Sequence, residues 1–118
     1  MPSVAAVKTP KDLLQLIQLS QERPVFLFKH STRCPISAWA VREYQSFAKN
    51  LDPASPLNCA LIRVIEERSL SEQVTRQLGV EHESPQLLLI SRGKVIWHDS
   101  HWSLTKDIMQ AAIGQFTQ

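Results

Sequence analysis

The sequence predicts a single α/β domain with a mixed sheet of four or five strands and helices on both faces. Its 118 residues are the usual length of one domain. Short apolar runs alternate with helical patterns, and buried strands separated by helices form right-handed parallel crossovers. Near the C-terminal end only a tight turn separates two extended runs, which predicts an antiparallel hairpin at the sheet edge.

The composition limits the class of protein and its partners. Hydrophobic residues make up 43% and charged residues 20%, which is ordinary for a globular protein without long disordered tails. The net charge of +2 is smaller than nucleic-acid binders usually carry, so we expect no nucleic-acid partner. The apolar runs are too short for a signal-peptide core or a membrane span. Because two cysteines do not make a secreted disulfide framework, we expect a cytoplasmic protein with no membrane partner.

The first elements are a helix and a buried strand. Thr9 can cap a helix in which Pro10 takes the first position and Asp12 lies near the positive end. Residues 3–7 could add a short strand before it. The continuous apolar run Val25–Phe28 predicts a strand that is buried on both faces.

The middle of the chain predicts helix, strand and helix. Apolar residues spaced by three or four predict a helix from about Cys34 to Asn50. A second buried strand is predicted from Cys59 to Ile65. Ser69 to Glu72 fit a capping box that opens a third helix, and Gly79 stands where a C-terminal cap belongs.

The last elements are a hairpin and a helix. Leu87–Ile90 predict a third strand, and Ser91–Lys94 predict a tight turn. Val95–Trp97 form the returning strand. Ser103 can cap a final helix.

The segment Ser31–Ser37 contains the strongest candidate for chemistry, Cys34. The segment follows a buried strand and opens a helix, so Cys34 is expected at the carboxyl edge of the sheet, where catalytic groups of α/β folds gather. Unpaired backbone N–H groups at a helix start stabilise a thiolate, and Pro35 suits the first turn. Three basic residues could add positive potential, although each alone is more often a solvated charge: Lys29, His30 and Arg33.

Two interpretations of Cys34 compete, a small residue at a helix start and a reactive thiol. The coincidence of the strand-to-helix turn, the proline and the basic neighbours favours the reactive thiol. Cys59 is interpreted oppositely, because it begins a strand that is expected to run parallel to the first. The carboxyl end of that strand, at Ile65, lies about 20 Å away, whereas a disulfide needs Cα atoms about 5.5 Å apart. We therefore expect Cys59 to pack in the core.

The active-site segment also resembles a known family. Cys34-Pro35-Ile36-Ser37 resembles the C-P-x-C motif of glutaredoxins with serine in place of the second cysteine. The wider run from Phe26 to Ser37 is similar to the monothiol bacilliredoxins, thioredoxin-like proteins with a T-C-P-I-S-type site, although here Arg33 separates the threonine from the cysteine. The resemblance covers nearly the whole chain, and it implies one thioredoxin-like domain over residues 1–118.

The resemblance implies further site residues. Ser84-Pro85 occupies the place of the cis-proline loop that pairs with substrate backbone, whereas without the resemblance it would be a trans, strand-start proline. Phe28 stands where dithiol thioredoxins carry a buried aspartate that assists the second cysteine, which agrees with Ser37 at the second cysteine's place. The Ser37 hydroxyl could hydrogen-bond the thiolate or be only a polar residue of the first turn.

The activity implied by the resemblance is the removal of bacillithiol, a low-molecular-weight thiol, from protein mixed disulfides by exchange at Cys34. No bound cofactor is expected. The co-substrate would be bacillithiol or a similar small thiol, and the partners would be S-thiolated cytosolic proteins.

Three other interpretations stay open. One is an iron–sulfur carrier that uses Cys34 and a small thiol in a dimer, and another is a non-enzymatic binding module. The third is a metal site at His98 and His101, for which two histidines at this spacing are weak support. The three tryptophans are expected to pack rather than to bind: Trp39, Trp97 and Trp102.

Overall fold

The structure is a computed structural model that describes residues 4–116. The elements follow in the order β1 (Val4–Ala6), α1 (Pro10–Leu19), β2 (Val25–His30), α2 (Pro35–Lys49), β3 (Asn58–Arg63), α3 (Arg68–Leu78), β4 (Gln86–Ser91), β5 (Lys94–Ser100), a 3₁₀ turn (His101–Ser103) and α4 (Lys106–Phe116). The predicted first strand is present at Val4–Ala6. Residue 3 of that prediction lies outside the described residues, as do the ends of the predicted domain at 1–3 and 117–118.

The sheet is mixed, as the sequence predicts, with five strands in the order β1-β3-β2-β4-β5. The pairs β1–β3 and β3–β2 are parallel, whereas β2–β4 and β4–β5 are antiparallel. The β4–β5 turn has left-handed φ angles at Arg92 and Gly93, 53° and 76°, as a two-residue hairpin turn requires. Among residues 4–116, no helix is long and apolar enough to cross a bilayer.

The central strand β2 divides the core into two layers because successive side chains point to opposite faces. Phe26 and Phe28 pack with residues of α2 and α4. Val25 and Leu27 pack with residues of α1 and α3 on the other face. Both faces of the sheet are therefore covered, which explains the continuous apolar run of β2.

Two predicted helix caps are confirmed. The N–H of Asp12 donates to Thr9 Oγ1 at 3.1 Å, and the Asp12 carboxylate accepts from the Thr9 N–H at 3.2 Å. These two bonds form the capping box of α1. Gly79 ends α3 with φ of 72°, a left-handed conformation that glycine adopts without steric cost.

The predicted capping box at Ser69 is wrong. Helix α3 begins at Arg68, with Glu67 at the N-cap and no side-chain cap. The backbone already turns before Ser69: the N–H of Glu67 donates to the carbonyl of Arg63 at 2.8 Å, and Ser71 donates to Glu67 at 2.9 Å. The helix is thus continuous with the preceding turn and begins before Ser69.

The predicted cap at Ser103 is also wrong. Ser103 belongs to the 3₁₀ turn that follows β5. Thr105 caps α4 instead, because its Oγ1 accepts from the N–H of Ile108 at 3.2 Å. Both residue types are good caps, and the inserted 3₁₀ turn decides between them.

Candidate active site

Cys34 is the N-cap of α2 and has an extended backbone, with φ of −107° and ψ of 122°. Its N–H donates to the carbonyl of Ser31 at 3.2 Å, and its own carbonyl accepts from Ala38 at 2.9 Å. Pro35 takes the first helical position, as predicted. The thiol is partly exposed and forms no disulfide. A partly exposed thiol at a helix start is placed for attack on a disulfide.

Strand β2 continues two residues beyond its apolar run, because its pairing with β3 extends to His30. The alternation of side chains therefore places Lys29 and His30 on opposite faces of the sheet. His30 lies on the α2 side, where it contacts Ser37. Lys29 is completely buried on the α3 side, so its prediction as a solvated charge near Cys34 is wrong. Arg33 is exposed beside the cysteine.

Ser37 is completely buried and connects the active-site loop to the end of β2. Its Oγ accepts the N–H of Ser31 at 2.9 Å and lies 2.8 Å from His30 Nδ1. Burial lowers the pKa of His30, although the charge of Glu66 opposes this effect. A neutral His30 accepts the hydroxyl proton at Nδ1, so the hydroxyl is already engaged. Its hydrogen bond to a Cys34 thiolate stays a prediction.

A carboxylate that the sequence analysis did not identify also lies at this loop. Thr32 Oγ1 donates to Glu66 Oε2 at 2.9 Å. The pKa of Glu66 is lowered first by a backbone hydrogen bond and then by Thr32, with smaller contributions from Arg63 and Arg33. Glu66 therefore offsets part of the positive charge that Arg33 brings. No local pattern could identify it, because 34 positions separate it from Thr32.

The Ser84–Pro85 peptide bond is cis, as the family resemblance implies. The residue that follows, Gln86, pairs with Lys29 near the end of β2, so this loop lies at the same sheet edge as the Cys34 loop. The Pro85 carbonyl accepts from the N–H of His101 at 3.0 Å. The hydroxyl of Ser84 is buried and has no hydrogen-bond partner in the described part of the chain.

The tryptophans contribute one exposed aromatic surface. Trp39 and Trp97 pack against the core, as expected. Trp102 contacts Trp39 with ring centroids 5.3 Å apart, but 63% of it remains exposed, which the sequence analysis missed. Within residues 4–116, no three His, Cys, Asp or Glu side chains cluster as metal ligands, so the alternative of a metal site at His98 and His101 gains no support.

Cys59 lies in the core, as predicted, and pairs in register with Phe26. Burial raises the pKa of its thiol to about 11, although a hydrogen bond from Tyr44 opposes this effect. Phe28, at the position of the missing aspartate, is completely buried and stacks on Tyr44 with ring centroids 5.0 Å apart. The interior beneath α2 is therefore aromatic at this point.

Comparison with known proteins agrees with this geometry. The family model of the monothiol bacilliredoxin BrxC matches residues 5–109, which is most of the chain. The chain belongs to the monothiol bacilliredoxin BrxC family. The matched residues of this bacilliredoxin-family chain include the Cys34 loop, Ser37 and the cis-proline loop.

Solved structures show that the bacilliredoxin-family chain has a thioredoxin fold. A protein named as a candidate oxidoreductase with a thioredoxin fold is 27% identical, with a TM-score of 0.82 and 93% of both chains covered. Thioredoxin from Malassezia sympodialis is 15% identical, with a TM-score of 0.79 over 100% of this chain and 94% of that one. Fasciola hepatica thioredoxin is 16% identical, with a TM-score of 0.75 over 95% and 98%. Family and fold together indicate a thioredoxin-like oxidoreductase.

Proposed function

We propose that this protein is a monothiol thiol–disulfide oxidoreductase that removes bacillithiol or a similar small thiol from protein mixed disulfides. The observation that carries the proposal is the placement of Cys34. It is a partly exposed thiol at the start of α2, at the sheet edge that also holds the cis-proline loop, with a serine three residues later. Family membership favours the bacillithiol form of this chemistry.

The reaction is an exchange between thiols and disulfides. The Cys34 thiolate attacks the small thiol's sulfur in the mixed disulfide. A new S–S bond forms to Cys34, and the bond to the target protein breaks. The target leaves as a thiolate and takes up a proton. A second small thiol then attacks the small thiol held on Cys34, which releases Cys34 as a thiolate together with the symmetrical small-thiol disulfide.

External resolution follows from the surroundings of Cys34. Ser37, at the place of a second cysteine, is a buried hydroxyl bonded to His30 and the Ser31 N–H. Cys59 lies in the core at the start of β3, and the raised pKa of its thiol keeps it protonated at neutral pH. Neither residue offers a thiolate to the adduct on Cys34, so a free small thiol has to supply one.

Partners and location belong to the same proposal. The protein substrates would be S-thiolated proteins of the cytoplasm, and the small thiol would be a co-substrate and not a bound cofactor. The exposed Trp102, the partly exposed Cys34 and the carboxyl edge of β2 could contact such targets without any rearrangement of the core.

Intact mass spectrometry tests the proposal. Reduced protein is offered oxidised bacillithiol, oxidised glutathione and coenzyme A disulfide in separate reactions, with Cys34→Ser and Cys59→Ala as matched single-cysteine variants. We expect one adduct, fastest with bacillithiol, in the wild type and in Cys59→Ala, and no adduct in Cys34→Ser. An adduct that forms equally well in Cys34→Ser, or none with any disulfide, would overturn the proposal. Faster reaction with another disulfide would reassign the small thiol.

A further inference from the structure

Lys29 is a buried cation without an acidic partner. Its side chain is 0% exposed. Its Nζ contacts Thr75 Oγ1 at 3.1 Å and His82 Nδ1 at 3.2 Å. Across residues 4–116, no carboxylate lies within ion-pair distance of it. Burial lowers the pKa of Lys29 to about 8, so the amine is still mostly charged at pH 7. Buried charges are normally paired, and an unpaired one calls for an explanation.

Both partners of Lys29 line a surface cleft. The cleft has a volume of about 600 Å³ and runs along α3 towards the loop before the cis-proline. This volume lies within the range of small-molecule sites. Two exposed guanidinium groups border it, those of Arg68 and Arg76. One carboxylate, Glu72, also lines it and lies 3.5 Å from Arg68 Nε. Together with the buried Lys29, whose partners Thr75 and His82 form part of the wall of the cleft, the cleft has more positive than negative charge.

The contacts of Lys29 determine which groups the wall offers to a ligand. As an ammonium, Nζ donates to His82 Nδ1, so the ring proton of a neutral His82 is on Nε2. Burial and the charge of Lys29 both lower the pKa of His82 and keep it neutral at pH 7, although Glu83 opposes them. Its Nε2–H has no protein partner among the described residues, whereas Thr75 accepts from Lys29 and donates to the Ser71 carbonyl. His82 therefore offers a donor that is polarised by a cation behind it.

Gln86 lies beside Lys29 on the same face of the sheet. It is 1% exposed and pairs with Lys29 across the β2–β4 ladder, so both side chains point to the same face. Its Nε2 donates to the Glu81 carbonyl at 3.0 Å, but its Oε1 has no partner in the described part of the chain. This oxygen is a hydrogen-bond acceptor and Gln86 does not line the cleft, so it adds no contact to an anion there.

We propose that the cleft binds a small molecule through a carboxylate or phosphate group, which accepts from His82 Nε2–H and pairs with the guanidinium groups of Arg68 and Arg76. The positive charge of Lys29, buried beneath the cleft, attracts the bound anion. Guanidinium groups recognise both kinds of anion through paired N–H donors. The site needs neither the Cys34 thiol nor a redox step, so it goes beyond the proposed exchange reaction.

NMR titration of the reduced, ¹⁵N-labelled full chain tests the proposal. The probes are malonate for a carboxylate source, inorganic phosphate for a phosphate source and glycerol as an uncharged reference, all at constant ionic strength. We expect saturable shifts at backbone amides of residues 64–76 and 81–83 with at least one anion, and none with glycerol. The anion that saturates at lower concentration identifies the source. Shifts that stay linear and spread over all exposed amides with both anions would overturn the proposal.

Matched variants locate the site. Arg76→Gln should weaken binding about three- to tenfold, and His82→Ala and Lys29→Met about tenfold or more, because each removes a charge or a charge-assisted hydrogen bond. Arg23→Gln, which removes an exposed charge next to the start of β2 at the opposite end of the strand, should leave the affinity within twofold. Equal affinity in His82→Ala and Arg23→Gln would contradict the site. His82 and Arg76 are exposed, so these variants decide the test even if Lys29→Met does not fold.

Cys34→Ser separates this inference from the proposed function. We expect it to bind the anion as the wild type does, although it forms no small-thiol adduct. Loss of anion binding in Cys34→Ser would contradict an independent site. Failure of the adduct assay alone would leave the anion titration unaffected.

Discussion

Replacing Lys29 with methionine should change how the stability of the protein depends on pH. The wild-type amine has a pKa of about 8 in the folded protein, against its ordinary value of 10.5, because burial disfavours its charge. Between these two pH values the unfolded chain binds more protons than the folded one. The free energy of unfolding of the wild type therefore rises with pH across this window. Methionine has a similar volume and does not titrate.

The difference of 2.5 pH units corresponds to about 3 to 4 kcal/mol at about 1.4 kcal/mol per unit. The charge of Lys29 destabilises the folded state by this full amount below pH 8 and by nothing well above pH 10.5. Relative to Lys29→Met, the wild type should thus gain about 2 to 3 kcal/mol between pH 7 and pH 10. The absolute difference at pH 7 also includes the lost hydrogen bonds to Thr75 and His82, so the pH dependence is the cleaner observable.

Other groups that face Lys29 or titrate nearby are controlled in this comparison. Arg68, Arg76 and Glu72 are the same in both proteins and cancel in the comparison, and Gln86 and Thr75 carry no titratable group. The lowered pKa of His82 places its titration below the window. Because the pKa values of Cys59 and Tyr44 are raised in the folded protein, their titration lowers the free energy of unfolding as the pH rises. This effect is the same in both proteins and cancels in the comparison.

Urea unfolding followed by circular dichroism at pH 7, 8, 9 and 10 measures the difference, with Lys11→Met as the matched exposed control. The control should give a difference from the wild type that does not change with pH. A Lys29→Met difference that is equally flat would refute the reasoning, because Lys29 would then keep an ordinary pKa in the folded protein. A difference that falls with pH would refute it as well, since the charge would then be stabilised by an acidic partner.

Three further predictions concern the thiols and the core. Iodoacetamide at pH 8 should modify Cys34 and leave Cys59 unmodified until the protein is unfolded. The intact mass of the native protein should then show one added group, and two added groups would contradict the burial of Cys59. Ser37→Cys should release the small thiol bound to Cys34 without added thiol, whereas the wild-type adduct should persist. Mass spectra taken over time measure the fraction of protein that carries the adduct. Loss of the wild-type adduct without added thiol would contradict the one-cysteine mechanism. Tyr44→Phe should lower the free energy of unfolding by about 1–2 kcal/mol, because the buried hydroxyl donates to the Ala60 carbonyl at 2.9 Å. An unchanged urea midpoint would show that this bond contributes nothing.

Elements with a local cause could be predicted from the sequence. The capping box at Thr9, the apolar run of β2 and the cap at Gly79 each depend on neighbouring residues, and all three are confirmed. The caps at Ser69 and Ser103 failed because backbone turns just before each helix set its start. A serine at a suitable position indicates that a helix can begin there, but the hydrogen bonds of the preceding turn decide where it does begin.

The site divides in the same way. Cys34 and Pro35 were predictable because a strand, a turn and a helix follow one another directly around them. Lys29 and His30 were taken together as basic neighbours because the predicted strand ended at Phe28. Two more residues of pairing extend the alternation, and this alternation separates them. The contact of Thr32 with Glu66 depends on how β3 and the following turn are placed, and the sequence contains no local trace of it.

Several positions around Cys34 bear on whether its chemistry can be resolved internally. In a two-cysteine site, a base beneath the helix has to accept the proton of a buried second thiol. Here Phe28 stands at the position of that base and Ser37 at that of the thiol, and the Ser37 hydroxyl is bonded to a His30 that burial keeps neutral. Cys59 lies within the core, and its raised pKa leaves it protonated. An aspartate at position 28 would be buried without a thiol to serve, which costs stability and gains no function. Serine and phenylalanine at these two positions are therefore consistent with each other, and together they favour an adduct on Cys34 that waits for a thiol from solution.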